Sequence, residues 1–282
     1  MGADGAWMIE VGASSSIRSM CLRLAYDGTR FSGWQAQPSR RTVQGVLAEA
    51  IYEISGETVL PRGCSRTDAG VHALSQIVTF STRRGFPPDV WVKALNAKLP
   101  SDVTVINGAE VAGDFSPMRA AVRKTYRYRI HDAPWRPVLQ RSFVWRWKKR
   151  LNEKLMQKAA SFLVGENDFT SFETTSSTRR SKVRTIYRID VVRKPAEDAF
   201  LDSEVWIEVE GNGFLYNMVR IIAGSLVMIG CEKRQPDWMR EALVARHRSA
   251  TGPTAPPHGL ILLTVELDPE PPWPVCLHKS VT

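Results

Sequence analysis

The segment Ser65-Arg66-Thr67-Asp68-Ala69-Gly70-Val71-His72-Ala73 sets a short carboxylate beside a guanidinium and follows it with small residues. Alanine and glycine let another molecule approach the backbone closely. An aspartate has an unperturbed pKa of about 3.9, so Asp68 would be charged in water at neutral pH and able to act as nucleophile or base. Taken alone, an aspartate in a glycine loop is more commonly a turn former. Other chemistries lack their residues. His72, His131, His247, His258 and His278 are scattered, with no pair at helical metal-ligand spacing. The cysteines, Cys21, Cys64, Cys231 and Cys276, are singletons without C-x-x-C, which fits free thiols rather than a disulfide framework. No phosphate-binding G-x-x-x-x-G-K-[ST] occurs. Gly211-Asn212-Gly213-Phe214-Leu215-Tyr216 starts like a dinucleotide fingerprint but carries tyrosine at the third glycine. An enzyme built on this chain is expected to need no metal.

The charge points to a partner. The 282 residues hold 38 Lys plus Arg against 29 Asp plus Glu, a net +9. Residues 114–188 carry 18 Lys/Arg against 6 Asp/Glu, a net +12, so the remainder is at −3. A basic stretch of this kind is the electrostatic footprint of a phosphate-bearing partner, or a solvated face. Tyr126, Tyr128, Trp135, Phe143, Trp145 and Trp147 lie within it. Looped RNA is held by such aromatics beside cations, although strands also favour aromatics for their cores.

At 43% hydrophobic and 24% charged, the chain has the composition of a globular protein. Its longest apolar run, Ile221 to Cys231, is too short to span a bilayer. Residues 1–19 lack the apolar core of a signal peptide and the arginines of a transit peptide, and read as a disordered extension with Met20 as an alternative start. A cytoplasmic protein is expected, with an organellar or nuclear site as the alternatives.

The elements that must position Asp68 follow from periodicity. Cys21 to Tyr26 reads as a strand ending at Asp27-Gly28. Thr42 caps a helix with Val43, Val46, Leu47, Ala50, Ile51 and Ile54 at helical spacing. Thr58 to Cys64 and Gln76 to Ser81 read as strands flanking the Asp68 loop. Pro88 to Leu99 is a helix and Val103 to Val111 a strand, giving β-α-β-β-α-β, the ferredoxin-like order. Arg123 to His131 adds a strand with Tyr126, Tyr128 and Ile130 on one face. Further on, Leu151 to Val164 predicts a helix, Ser171 to Lys182 a loop, Arg184 to Arg193 and Glu204 to Glu210 strands, Phe214 to Ile229 and Asp237 to Ala245 helices, and Gly259 to Leu267 a last strand. We read two α/β domains, 20–132 and 133–268, and a flexible tail at 269–282.

Several phrases of the sequence resemble one family. Besides R-T-D-A-G-V-H-A around Asp68, these are Tyr26-Asp27-Gly28-Thr29-Arg30-Phe31-Ser32-Gly33-Trp34-Gln35, Lys124-Thr125-Tyr126-Arg127-Tyr128, Asn167-Asp168-Phe169-Thr170-Ser171-Phe172, Gly213 to Arg220, and Thr254-Ala255-Pro256 with Gly259-Leu260. In this order, over residues 20 to 268, they resemble the TruA family of tRNA pseudouridine synthases. The resemblance implies two ferredoxin-like-derived α/β domains, with antiparallel or mixed sheets, flanking an active-site cleft. It implies a homodimer, tRNA as partner, no cofactor, and isomerisation of uridine to pseudouridine at anticodon stem-loop positions 38 to 40. It makes Asp68 the essential carboxylate, Arg220 its paired arginine, Tyr126 the ring packed on the target base, and Arg66 the side chain that keeps the base flipped out. Lys124, Arg127, Arg30 and Gln35 become candidate substrate contacts. Arg40, Arg41, Arg179 and Arg180 could likewise meet phosphate, or be solvated surface charge.

The physics agrees with those roles. Burial would raise the Asp68 pKa and a close Arg220 would oppose the rise. Stacking of uracil on Tyr126 would contribute roughly 1–3 kcal/mol, against a flipping cost of a few kcal/mol. The phenol could also move a proton. Two departures stand out: Ser65 where the family has glycine, and Phe115-Ser116-Pro117-Met118 in place of F-H-A-R. A catalytically silent tRNA-binding protein on the same fold is the competing expectation, since the basic segment serves both.

Overall fold

Thr42 turns the extended chain into its first helix by accepting a hydrogen bond from Gly45 N at 3.2 Å, and Gly56, at φ 72°, ends it. The computed structural model describes residues 16–174, 181–194 and 204–274. Residues 1–15 of the expected extension, Arg179, Arg180, Cys276 and the end of the tail lie outside them, whereas Arg18 and the buried Ser19 of that extension already open the first strand.

In chain order the elements are β1 (Arg18–Tyr26), α1 (Val43–Ser55), β2 (Arg62–Gly63), β3 (His72–Thr82), α2 (Pro88–Lys98), β4 (Val103–Val111), α3 (Pro117–Ala120), β5 (Ala121–His131), β6 (Trp145–Arg146), α4 (Glu153–Ala160), β7 (Gly165–Asp168), β8 (Val183–Lys194), β9 (Glu204–Gly211), α5 (Met218–Gly230), α6 (Trp238–Ala245) and β10 (Leu260–Leu267). The fold is mixed α/β. Its strands join in one ten-stranded sheet ordered β4-β1-β3-β10-β5-β9-β8-β7, with β2 on β3 and β6 on β5. Pairing is antiparallel except between β10 and β3 and between β5 and β6. The last strand thus sits mid-sheet, with Ile261 opposite His72 and Leu260 opposite Tyr128.

The expected strand over 58–64 shrinks to β2. Pro61 has no N–H to give a ladder, and its carbonyl accepts from Gln44 Nε2 of α1 at 2.7 Å instead. The helix expected from Phe214 begins at Met218, because Asn217 adopts φ 62°, the left-handed region. The helix expected from Leu151 is α-helical only over α4 and tightens to a 3-10 turn at Ser161–Leu163.

Buried side chains from both halves form one apolar cluster, from Met20 on β1 to Leu267 on β10. Helix α5 is buried almost all round. A Cβ on Gly224 would stand 1.8 Å from the Pro253 carbonyl oxygen, so only glycine lets the 252–255 loop lie against this helix. No helix among the described residues is long and apolar enough to cross a membrane.

Candidate active site

The Asp68 loop joins β2 to β3 and is braced on every side. Gln76 of β3, fully buried, clasps Ser65: its Oε1 accepts from Ser65 N at 3.1 Å and its Nε2 donates to Ser65 O at 2.5 Å. Lys124 Nζ of β5 donates to Cys64 O at 3.0 Å. The Tyr26 hydroxyl shares a 2.7 Å hydrogen bond with Thr67 Oγ1. From the Tyr26–Gln35 segment, Trp34 N donates to Thr67 O at 3.0 Å, and Phe31 O accepts from Gly70 N at 3.2 Å. Gly33 makes the approach possible. It holds φ 93°, and a Cβ there would meet Thr67 O at 2.8 Å. The segment is a splint for the loop.

Arg220 reaches Asp68 from α5. Its Nη1 donates to Asp68 Oδ2 at 2.9 Å and to Asn217 Oδ1 at 2.7 Å, while Nε donates to Ala255 O at 2.8 Å. Ala255 N in turn donates to Arg220 O at 3.1 Å. The left-handed turn at Asn217 brings its amide under the guanidinium, and its Nδ2 is tied to Thr174 Oγ1 at 2.8 Å. Both partners of the ion pair are mostly shielded, with side-chain exposures of 18% for Asp68 and 15% for Arg220.

Burial pushes the Asp68 carboxyl above the ordinary aspartate value, and the hydrogen bond and charge of Arg220 oppose the rise. The Tyr126 ring lies on β5, edge-on to Phe214 with centroids 5.2 Å apart. It is almost wholly buried. Burial also lifts its phenol well above the usual tyrosine range, the Ser65 side chain pulls the other way, and the Asp68 charge adds to the rise. The arrangement offers an oriented carboxylate with a fixed cationic partner beside an aromatic ring.

The remaining sequence-selected residues separate into two groups. Arg66 and Arg30 are exposed, and Arg66 has no hydrogen-bond or ion-pair partner among the described residues. Arg40 is exposed as well. The rest among the described residues are engaged within the protein. Lys124 holds the Cys64 carbonyl. Arg127 pairs with Glu208 at 2.6 Å and lies 3.9 Å over the Trp206 ring. Gln35 Nε2 donates to Gln44 Oε1 at 3.1 Å, and Arg41 grips Asp102 with two 2.8 Å hydrogen bonds. Arg123 and Arg129 likewise pair with Glu210 and Glu204 across β9. Much of the basic character of β5 is therefore neutralised inside the sheet.

Sequence reasoning passed over Gln76, Asn217 and Ala255 as parts of the site. Gln76 carried a signal, a lone amide in an otherwise apolar strand centre. Ala255 acts through its backbone, and its only signal was its place in the Thr254-Ala255-Pro256 phrase. Gly211 is explained by strand packing, since a Cβ there would stand 2.7 Å from Thr185 O. Among the described residues no group of three or more His, Cys, Asp or Glu is placed to hold a metal ion.

The family described as tRNA pseudouridine synthase matches residues 24–117 and 159–268. The tRNA pseudouridine synthase A of Shouchella clausii (strain KSM-K16) is 43% identical over 248 residues, 88% of this chain and 92% of that one. Its namesake in Halalkalibacterium halodurans is 43% identical over 241 residues, 85% and 89% of the two chains. That of Thermoanaerobacter sp. (strain X514) is 40% identical over 249 residues, 88% and 99%. Among solved structures, a chain in the crystal structure of a Cbf5-Nop10-Gar1 complex aligns with a TM-score of 0.30 and 13% identity, covering 74% of this chain and 54% of that one.

Proposed function

The chain belongs to the tRNA pseudouridine synthase family, and from that premise we propose that Asp68 is the carboxylate on which its isomerase activity depends, with uridines 38 to 40 of the tRNA anticodon stem-loop as targets. In the reaction the N1–C1′ bond breaks, the uracil turns, and a C5–C1′ bond forms. N1 gains a proton and C5 loses one, so nothing is consumed and no cofactor is called for. Asp68 opens the sequence, at C1′ or on the ribose. Arg220 keeps it ionised and aimed, and Tyr126 carries the base. Arg66, beside Asp68 and exposed, holds the flipped nucleotide. The ion pair between Asp68 and Arg220 is the observation that supports this reading most directly.

The protein acts as a homodimer in the cytoplasm, with tRNA lying across both subunits. Its site lies in a cleft between two ferredoxin-like-derived domains, 20–132 and 133–268. The half-exposed Leu74, with Phe143, Trp206 and Leu263, lines an open groove of about 600 Å³ that suits a partner surface.

Pseudouridine mapping on unmodified tRNA, with the native protein and with Asp68→Ala in parallel, tests the proposal. Pseudouridine at positions 38–40 with the native protein alone is the expected result. Tight tRNA binding without pseudouridine in either reaction would replace it with a silent binding protein on the same fold.

A further inference from the structure

His72 is buried, 3% exposed, and the reaction as described makes no use of it. It stands four residues after Asp68, where the catalytic loop enters β3. Its ring touches three separate parts of the chain. Nδ1 lies 3.0 Å from Gly28 N, and Nε2 lies 3.0 Å from Ser142 O and 3.2 Å from His258 O. Phe143 packs on the ring with centroids 4.7 Å apart.

The partners fix the protonation state. Ser142 O and His258 O can only accept, so Nε2 must carry the proton, and Gly28 N–H can only donate, so Nδ1 must be bare. The neutral Nε2–H tautomer alone satisfies all three. Asp27 Oδ1 also lies 3.1 Å from Nδ1, but the Gly28 N–H takes the Nδ1 lone pair, and Asp27 Oδ1 accepts from Thr29 N at 2.9 Å and Thr29 Oγ1 at 2.5 Å. Burial disfavours the imidazolium here, against the pull of Asp27. His258 is the other titratable group nearby. Asp102, Arg127 and Arg129, along the adjoining groove, are each paired elsewhere, with Arg41, Glu208 and Glu204.

The His258 contact has a particular place in the fold. Asp68 and His72 belong to one segment, and Ala255 and His258 belong to another. The first segment carries the carboxylate. The second carries the carbonyl that grips Arg220 Nε. His72 thus ties together the two segments whose relative position sets the Asp68–Arg220 distance.

We propose that His72, as the neutral Nε2–H tautomer, is a positioning residue for the reaction: it locks the Asp68 loop to the 255–258 segment and so holds Asp68 in register with Arg220. The proposal rests on Asp68 being the essential carboxylate. Misplacing a reacting group by about 1 Å can cost on the order of 10²-fold in rate.

Three variants and one spectrum test it. With single-turnover kinetics on anticodon stem-loop tRNA, His72→Ala is expected to lower the rate by 10²-fold at an unchanged tRNA Kd. His72→Gln, which keeps a side-chain N–H able to reach the two carbonyls, is expected to recover part of that loss. In the full-length wild-type protein labelled with ¹⁵N-histidine, the His72 ring is expected to show the Nε2–H tautomer at neutral pH. A wild-type rate for His72→Ala overturns the proposal, as does an Nδ1–H or doubly protonated ring. The spectrum can overturn the proposal even where a variant fails to fold. Asp68→Ala, run alongside, separates the two ideas: an active Asp68→Ala overturns the Asp68 assignment itself, whereas an inactive one beside a full-rate His72→Ala overturns the role of His72 alone.

Discussion

Asp68 and Arg220 are 152 residues apart in the chain, yet Oδ2 of one and Nη1 of the other meet at 2.9 Å. The loop that carries the acid and the helix that carries the base come from opposite halves of the sequence. Their pairing balances two opposing effects, since burial favours the neutral acid and the guanidinium favours the anion.

That balance predicts a pH signature. The working form of Asp68 is the anion, and its pKa lies above the ordinary aspartate value, so single-turnover activity should fall on acidification earlier than for a solvated aspartate. Arg220→Gln removes the opposing charge and should move the acid limb to still higher pH, besides slowing the reaction. An unmoved limb would mean that Asp68 is not the titrating group. For stability the sign follows from the raised pKa: the fold holds this proton more tightly than the unfolded chain does. The contribution of Asp68 therefore favours the fold at low pH and is lost as pH rises through the unfolded and then the folded value.

Tyr126 should separate ring from hydroxyl. Tyr126→Phe keeps the edge-on contact with Phe214 and the stacking face, so tRNA binding should change little. Any slowing would then report on the phenol as a proton carrier. Tyr126→Leu loses the face, worth about 1–3 kcal/mol, and should weaken stem-loop binding by roughly 5- to 150-fold. Filter-binding titrations of both variants measure the difference.

Salt dependence should sort the cations. Arg66→Ala should reduce the slope of log K against log salt by about 1, because an exposed arginine on phosphate releases counterions. Arg127→Ala and Lys124→Ala should leave the slope unchanged, since Glu208 and the Cys64 carbonyl already hold these side chains. Lys124→Ala should instead lower the melting temperature.

Gly33→Ala should damage the loop splint. The substitution forces a Cβ to within 2.8 Å of Thr67 O at a φ of 93°. It should cost more than about 1 kcal/mol of stability. It should also depress the catalytic rate, because Thr67 is next to Asp68. Thermal melts and single-turnover rates check both effects.

Local signals made much of this readable. Thr42 announced its helix, because a cap is a short-range hydrogen bond. Val103 to Val111 and the Tyr126-Tyr128-Ile130 face appeared where their alternation placed them. The Asp68 and Arg220 motifs were visible as words, although nothing in their spacing brings one to the other. The misreadings have physical causes. The 58–64 strand failed because a glutamine side chain on α1 took the Pro61 carbonyl. The start of α5 shifted because Asn217 went left-handed to hold Arg220. Arg127 looked available for phosphate because its acid, Glu208, lies 81 residues further along the chain.

The strand order bears on how the protein comes into being. β10, last in sequence, fills the gap between β3 and β5 and carries the chain away from the segment that grips Arg220. On the ribosome, every other described strand is synthesised before the one that completes the centre of the sheet. Until Leu260–Leu267 clears the exit tunnel, β3 and β5 present edges covered only in part, by β2 and β6, the kind that invite adhesion to other chains. Catalytic competence therefore waits on β10, and a chain stopped short of it would be both inactive and sticky.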